Sequence, residues 1–291
     1  MQPADCASQH KVSSALTVSS RFDLGNRVAV VTGGSGVLGQ AVAAGLADAG
    51  ATVAITCRTP ASGEAAREAL AAHGANVRVF RLDVFDTGSS ERCAGAIIEE
   101  FGHVDVLVNS VGGNLAEATT SETCAFFDLP EEAFTSVMHL NFVGGVVAPC
   151  QTFGAAMARG QGKGSIINIT SMSALRPLTR IAGYSAAKAA VANFTQWLAV
   201  HLARDCGSHV RVNAIAPGFF ETAQNRYLLR DPDTNELTER GRSVLDHTPM
   251  GAFGDPDDLV GAAIWLASDA SRFVTGAVIP IDGGFGAYAG V

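Results

Sequence analysis

Tyr184 and Lys188 stand four residues apart in YSAAK, residues 184 to 188. On a helix, positions i and i+4 share a face. A phenol has a pKa of about 10, too high to exchange protons readily near neutrality. A neighbouring ammonium favours the phenolate and is expected to pull that value down. A group that titrates nearer the working pH transfers protons more effectively. The pair could form an acid–base device, although taken alone the spacing fits an idle surface contact better. A second stretch supplies context. TGGSGVLG (32–39) holds Gly34-Ser35-Gly36-Val37-Leu38-Gly39, a GxGxxG pattern. Such glycines let the backbone close on a pyrophosphate, and the helix start offers free N–H donors.

These residues matter only if the chain positions them. RVAVVT (27–32) is a short valine-rich run suited to a buried parallel strand, and VLGQAVAAGLADAG after it has helical spacing. The alternation repeats through ATVAITC (51–57), a helix closed by Gly74, NVRVFRLDV (76–84), a helix over 88–101 and VDVLVNS (104–110). A long helix near 131–159 follows, with a kink expected at Pro149. GSIINIT (164–170), a helix over 183–205, HVRVNAIA (209–216), a helix over 256–268 and a strand at 277–281 complete the series. Seven strands interleaved with helices predict an α/β fold, one doubly wound parallel sheet with helices on both faces. Ligands bind such sheets at the carboxyl ends of the strands, so motifs just after strands carry most weight.

Composition narrows the classes. The 291 residues are 47% hydrophobic and 16% charged, enough for a large core and unlike a disordered chain. A net charge of -8 gives no basic face for nucleic acid. No uninterrupted apolar run reaches a membrane span. Six scattered cysteines form no CxxC pair, and the seven histidines form no HxxxH cluster. The expectation is a protein of the reducing cytoplasm without a metal. Residues 1–21 are Ser-rich and read as a disordered tail ahead of a single domain over 22–291.

The residue that ends strand two faces the adenosine ribose. An acid there would hold the 2′-hydroxyl of NAD, but this chain has Cys57-Arg58. Arg58 can pair with a 2′-phosphate, which leans toward NADP over NAD.

With these motifs in place, the chain resembles the short-chain dehydrogenase/reductase family over about residues 22–291. The family's Tyr-x-x-x-Lys falls on Tyr184 and Lys188, its catalytic serine on Ser171 in NITSMSA and its helix asparagine on Asn141 in HLNFVGG. Asn109-Ser110-Val111-Gly112 stands for Asn-Asn-Ala-Gly. Pro217, Gly218 and Thr222 stand for Pro-Gly-x-x-x-Thr, and Asp83 for the acid that contacts adenine. The glycine loop departs from TGxxxGxG, with Val37 where a glycine is usual. TGGSGVLG, GGNLAEATT, APGFFETAQNR and HTPMGAFGDPDDL are similar to the D-mannonate oxidoreductase (fructuronate reductase) branch of the family, which acts on sugar acids and shares the shifted loop.

The resemblance implies an NAD- or NADP-dependent oxidoreductase that interconverts a secondary alcohol and a ketone. It implies dinucleotide contacts at Gly33, Ser35, Gly36, Val37, Leu38, Arg58, Asp83, Val84, Asn109, Val111, Tyr184, Lys188, Pro217, Gly218, Phe220 and Thr222. It also implies a homo-oligomer, dimer or tetramer. Tyr184 would move the proton, Lys188 would tune it and hold the nicotinamide ribose, Ser171 would bind the reacting oxygen, and Asn141 would bend its helix and hold a water.

Residues 219–253 form a long polar segment expected to act as a lid. Arg226, Arg176 or Arg180 could grip a substrate carboxylate, with Asn114 and Thr179 on sugar hydroxyls. Equally, these arginines could be solvated or paired with Asp231 or Glu239. Another polyol, a keto sugar or a ketoacyl group is the alternative substrate. A dinucleotide-binding regulator without turnover would be expected to have lost one of Ser171, Tyr184 and Lys188, and all three are present.

Overall fold

A computed structural model of the protein describes residues 17–160, 162–207, 209–222 and 225–290. Residues 1–16 of the expected tail lie outside these. Thr17 caps a short exposed helix, α1 (Val18–Phe22), by accepting from Ser20 N, so the end of that stretch is helical rather than irregular.

The parallel sheet is built from β1 (Val28–Thr32), β2 (Thr52–Cys57), β3 (Val77–Arg81), β4 (Val106–Asn109), β5 (Gly164–Ile169), β6 (Val210–Pro217) and β7 (Val278–Ile281). Its order is β3-β2-β1-β4-β5-β6-β7. The chain runs outward one way from β1 to β3, then returns to β4 beside β1 and runs the other way. The order therefore switches between β1 and β4, where a crevice opens.

β1, β4 and β5 are buried along their whole length, as continuous apolar runs covered on both faces must be. Successive residues alternate between two cores. Ala29, Val31, Val53, Ile55, Val106 and Val108 pack with α2 (Val37–Asp48), α3 (Pro60–Ala72) and α10 (Val260–Ala267). Val30, Ala54, Leu107 and Ile166 face α4 (Ser89–Phe101), α6 (Ala148–Arg159) and α7 (Ala182–Asp205). Each fully buried valine or isoleucine contributes about 1.5–3 kcal/mol, so register is strongly held.

The helical run Glu131–Arg159 departs from expectation. It comprises α5 (Glu131–Met138), a π-helical stretch (His139–Val147) and α6. The distortion precedes Pro149, which has no N–H to give the preceding turn of this continuous run. An 18-residue window of the run has a mean hydropathy of 1.3, so by length and composition alone the run could cross a bilayer. In this fold Val146, Phe153 and Met157 are part of the second core. Cys57, Cys93, Cys124, Cys150 and Cys206 are free thiols. The segment after β6 contains α8 (Arg226–Leu229) and α9 (Glu239–Asp246).

Candidate active site

The glycine loop forms one wall of the crevice. Gly33 has φ +66°, and a Cβ there would stand 3.0 Å from Val111 N on the opposite wall. Gly36 caps α2, and only Gly33 O lies within 4 Å of where its Cβ would be, so space opens above it. Among the described residues nothing accepts from the N–H groups of Val37 and Leu38. These are free donors at the positive end of a helix, and they fit a pyrophosphate. Val37 is partly exposed at this lip and does not block it.

Asp83 is half-buried just past β3, its Oδ1 accepting from Phe85 N at 3.1 Å. Val84 O bonds His139 Nε2 at 2.7 Å, and Phe85 stacks on that imidazole. Arg58 is exposed past the end of β2 with no acid within ion-pair distance among the described residues.

Two expected cofactor contacts point elsewhere. The Asn109 amide is fully buried between strands, where it donates to Asn168 Oδ1 at 2.8 Å and to Cys150 Sγ at 3.3 Å. Asn168 in turn donates to Thr195 Oγ1 of α7 at 2.9 Å. Phe220 is 4% exposed and belongs to the first core. Its side chain occupies space that a Cβ on Gly254 would invade. Side-chain direction at a strand end depends on register and packing, which sequence spacing does not reveal.

Pro217 closes β6, and a Cβ on Gly218 would stand 2.6 Å from Asp282 Cα, so only glycine fits there. Thr222 gives its N–H to Asn225 Oδ1 at 2.7 Å, and its hydroxyl to the same atom at 3.2 Å.

The catalytic candidates converge at the end of β5. Ser171 is 7% exposed and accepts from Ser173 N at 3.1 Å, which fixes its hydroxyl at the start of a 3₁₀ turn. Thr170 Oγ1 donates to Lys188 O at 2.7 Å and ties α7 to the strand. Lys188 is buried, donates Nζ–H to Ile169 O at 2.9 Å, and lies 5.6 Å from the Tyr184 ring centroid. A Cβ on Gly112 would stand 2.9 Å from that Nζ and 2.8 Å from Asn141 Oδ1. Glycine therefore lets loop, lysine and asparagine meet.

Burial pushes the Tyr184 phenol above its ordinary value, and the Ser171 hydroxyl draws it partly back. The expected lowering by Lys188 is overturned for the protein on its own. Burial also lowers Lys188 to about 8, so desolvation governs both groups. Asn141 is fully buried and brackets Gly113, accepting from its N–H at 3.0 Å and donating to its carbonyl at 2.7 Å. A second donation, to Val137 O at 2.9 Å, coincides with the π-helical stretch.

The substrate side divides differently from expectation. Arg176 Nε donates to Gly286 O at 2.6 Å. Arg226 lies 3.6 Å from Glu221 and donates to Asn235 Oδ1 at 3.0 Å, while Arg230 bonds Glu221 at 2.7 Å. Glu221 takes the role expected of Asp231 or Glu239. Asn114 is exposed, its amide N–H donating to Thr119 Oγ1 at 2.7 Å, and Thr179 is exposed. The carboxyl-terminal segment was missed in the sequence. Asp282 accepts from Gly284 N and Gly286 N, and Phe285 packs on Phe219 at 5.2 Å between centroids. A cavity of about 570 Å³ lies around α7 from Tyr184, on the side of Ala182, Ser185 and Ala189.

A family model described as enoyl-(acyl carrier protein) reductase matches residues 34–286. The chain belongs to the short-chain dehydrogenase/reductase family. It is 44% identical over 278 residues to the uncharacterized oxidoreductase UxuB of Bacillus subtilis, covering 92% of this chain and 98% of that one. A Haemophilus influenza structure described as a candidate D-mannonate oxidoreductase with bound NAD superposes at TM-score 0.85, with 37% identity, over 94% of this chain and 100% of that one. The Burkholderia cenocepacia gluconate 5-dehydrogenase, in complex with NADP and tartrate, gives TM-score 0.83 and 30% identity over 94% and 100%. As a short-chain dehydrogenase/reductase, the protein is an NAD(P)-dependent oxidoreductase of CH–OH groups.

Proposed function

We propose that the protein interconverts the alcohol and ketone of a sugar acid such as D-mannonate and D-fructuronate, with Tyr184 as the proton-transfer group. The observation that carries this reading is the placing of Ser171 at the end of β5 and of Tyr184 and Lys188 at the start of α7, with Lys188 Nζ 5.6 Å from the Tyr184 ring. Similarity to the Haemophilus and Burkholderia enzymes supports the same substrate class.

The dinucleotide supplies or accepts hydride; the chain supplies position and the proton. In reduction, Ser171 Oγ–H donates to the carbonyl oxygen and Tyr184 Oη–H gives up its proton as negative charge develops there. A phenol held above its ordinary value by burial stays protonated at neutral pH, as a donor must. The Lys188 ammonium stabilises the phenolate left behind, and its bond to Ile169 O aims it. Asn141 shapes the Gly112–Gly113 turn beside that ammonium. In oxidation the same groups run in reverse.

Arg58, with no acid within ion-pair distance among the described residues, favours NADP over NAD. The single-domain organisation of residues 22–291, action in the cytoplasm and assembly as a dimer or tetramer complete the proposal.

The test follows NADPH and NADH absorbance with a panel of keto sugar acids, matched neutral keto sugars and a ketoacyl thioester. Faster turnover of an acidic sugar is the expected result. Preference for the thioester would move the enzyme to the acyl class, in keeping with the description of the matching family model. No turnover of any would favour a dinucleotide-binding regulator.

A further inference from the structure

Arg176 lies just beyond the 3₁₀ turn that Ser171 opens, and its N–H bonds Met172 O of that turn at 3.0 Å. Its Nε–H donates to Gly286 O at 2.6 Å, 110 residues further along the chain. Ser171 follows β5 and Gly286 follows β7, with β6 between those strands in the sheet. Two strand spacings are about 10 Å. One side chain therefore joins two loops across the end of β6, the strand from which the lid departs. A bond from a charged donor is stronger than a neutral one, and the planar guanidinium loses little freedom in making it.

The segment that receives this bond is itself held. Asp282 Oδ1 accepts from Gly284 N at 3.0 Å and Oδ2 from Gly286 N at 2.8 Å, which fixes the backbone around Gly286. The same segment touches both ends of the lid. At the entrance, Phe285 packs on Phe219 at 5.2 Å between centroids. At the exit, Met250 N donates to Gly283 O at 3.1 Å. Gly283 has φ +61°, and a Cβ there would stand 2.8 Å from Thr248 Cγ2. Residues 282–286 are thus a strap laid against the base of the lid.

Among the described residues the Arg176 side chain bonds only that carbonyl and pairs with no carboxylate. It is the hydrogen bond that joins the Ser171 loop to the strap. We propose that Arg176 is a positioning residue: by holding the strap it fixes the base of the lid relative to Ser171, and so sets the space in which a substrate meets the reacting groups. The proposal rests on the oxidoreductase activity and does not need the sugar-acid reading.

A support of this kind behaves unlike a substrate ligand. A carboxylate ligand matters for acidic substrates alone. A support matters equally for charged and neutral substrates, and it acts on the lid when no substrate is present. Without it the strap keeps the Phe285 packing and the Met250 bond alone, so the lid base opens more often.

The test measures amide hydrogen exchange by mass spectrometry on the protein saturated with oxidised dinucleotide, then kcat/KM for reduction of D-fructuronate and of D-fructose. Arg176→Gln should speed exchange about tenfold in peptides over 244–253 and 278–286 and leave 28–48 unchanged. Its kcat/KM should fall about three- to tenfold, by the same factor for both sugars. Arg176→Lys should recover part of both changes, since an ammonium can also donate to Gly286 O. Phe285→Ala should loosen the same peptides, and the double variant should do little more than the larger single change, because both release one strap. Unchanged exchange over 244–253 in Arg176→Gln overturns the proposal, as do exchange effects that multiply in the double variant. A kinetic loss confined to D-fructuronate also overturns it and makes Arg176 a carboxylate ligand. Where one ketone or neither is reduced, exchange over 244–253 decides alone. Equal turnover of the two sugars by wild type would end the sugar-acid reading and leave the strap standing.

Discussion

The crevice between β1 and β4 and the excursion between β6 and α10 lie on the same edge of the sheet and are made differently. The crevice is backbone against backbone. Gly33 faces Val111 N across it, and a Cβ on Gly39 would stand 2.5 Å from Gly33 O. The excursion is held by side chains: Glu221 joins Arg226 and Arg230, Thr238 caps α9, and Asn225 binds Thr222 and Phe220 O. Close backbone contact tolerates little change and suits a cofactor common to a whole family. Polar links can be exchanged a few tenths of a kcal/mol at a time and suit a substrate that varies.

The contrast can be broken at several points. Tyr184→Phe should lower kcat by about 10²–10⁴ while dinucleotide affinity, read by fluorescence, stays near wild type. Retention of most turnover would show that proton transfer belongs to another group. Gly34→Val should cost about 1–3 kcal/mol of stability by overpacking against Ile55, and should weaken dinucleotide binding with it. A denaturation midpoint matching wild type would mean the glycine loop is softer against β2 than its contacts imply.

The third test uses pH. Burial lowers Lys188 to about 8, so its cation is present below that pH and is lost above it. Reduction needs that cation beside the forming phenolate. Its rate should hold through neutrality and fall by up to about tenfold per unit above pH 8. Lys188→Met should be slow throughout and lack this limb. The smallest effect is expected for Glu221→Gln, which releases two arginines in the lid. Stability should change by no more than about 1 kcal/mol, with a few-fold rise in KM and little change in kcat. A large loss of stability there would give the lid the rigidity assigned to the crevice.

The same contrast governs how far the sequence could be read. Inner strands such as RVAVVT and GSIINIT are visible because parallel strands covered on both faces must be largely apolar. The crevice is visible because only glycines permit its close approaches. Ser171, Tyr184 and Lys188 stand at the end of β5 and the start of α7, where the motifs put them. Other features depend on tertiary path. Asn109 and Phe220 look inward because of strand register and the Phe220–Gly254 bridge, which neighbours in sequence do not encode. Glu221 reaches Arg230 because Asn225 folds back onto Thr222 and Phe220 O and α8 then carries the chain to Arg230. Pro149 was the visible helix breaker, yet the distortion lies just ahead of it, where the Asn141 amide meets Val137 O.

The π-helical stretch brings remote parts of the cleft under common control. His139 grips Val84 O beyond β3, and Asn141, two residues later, grips both sides of Gly113 beyond β4. One widened helical turn thus props the outer rim and the proton-transfer corner together. A ligand that settles only one end of the crevice must also shift the balance at the other, so fragments of the coenzyme should bind with coupled rather than additive free energies.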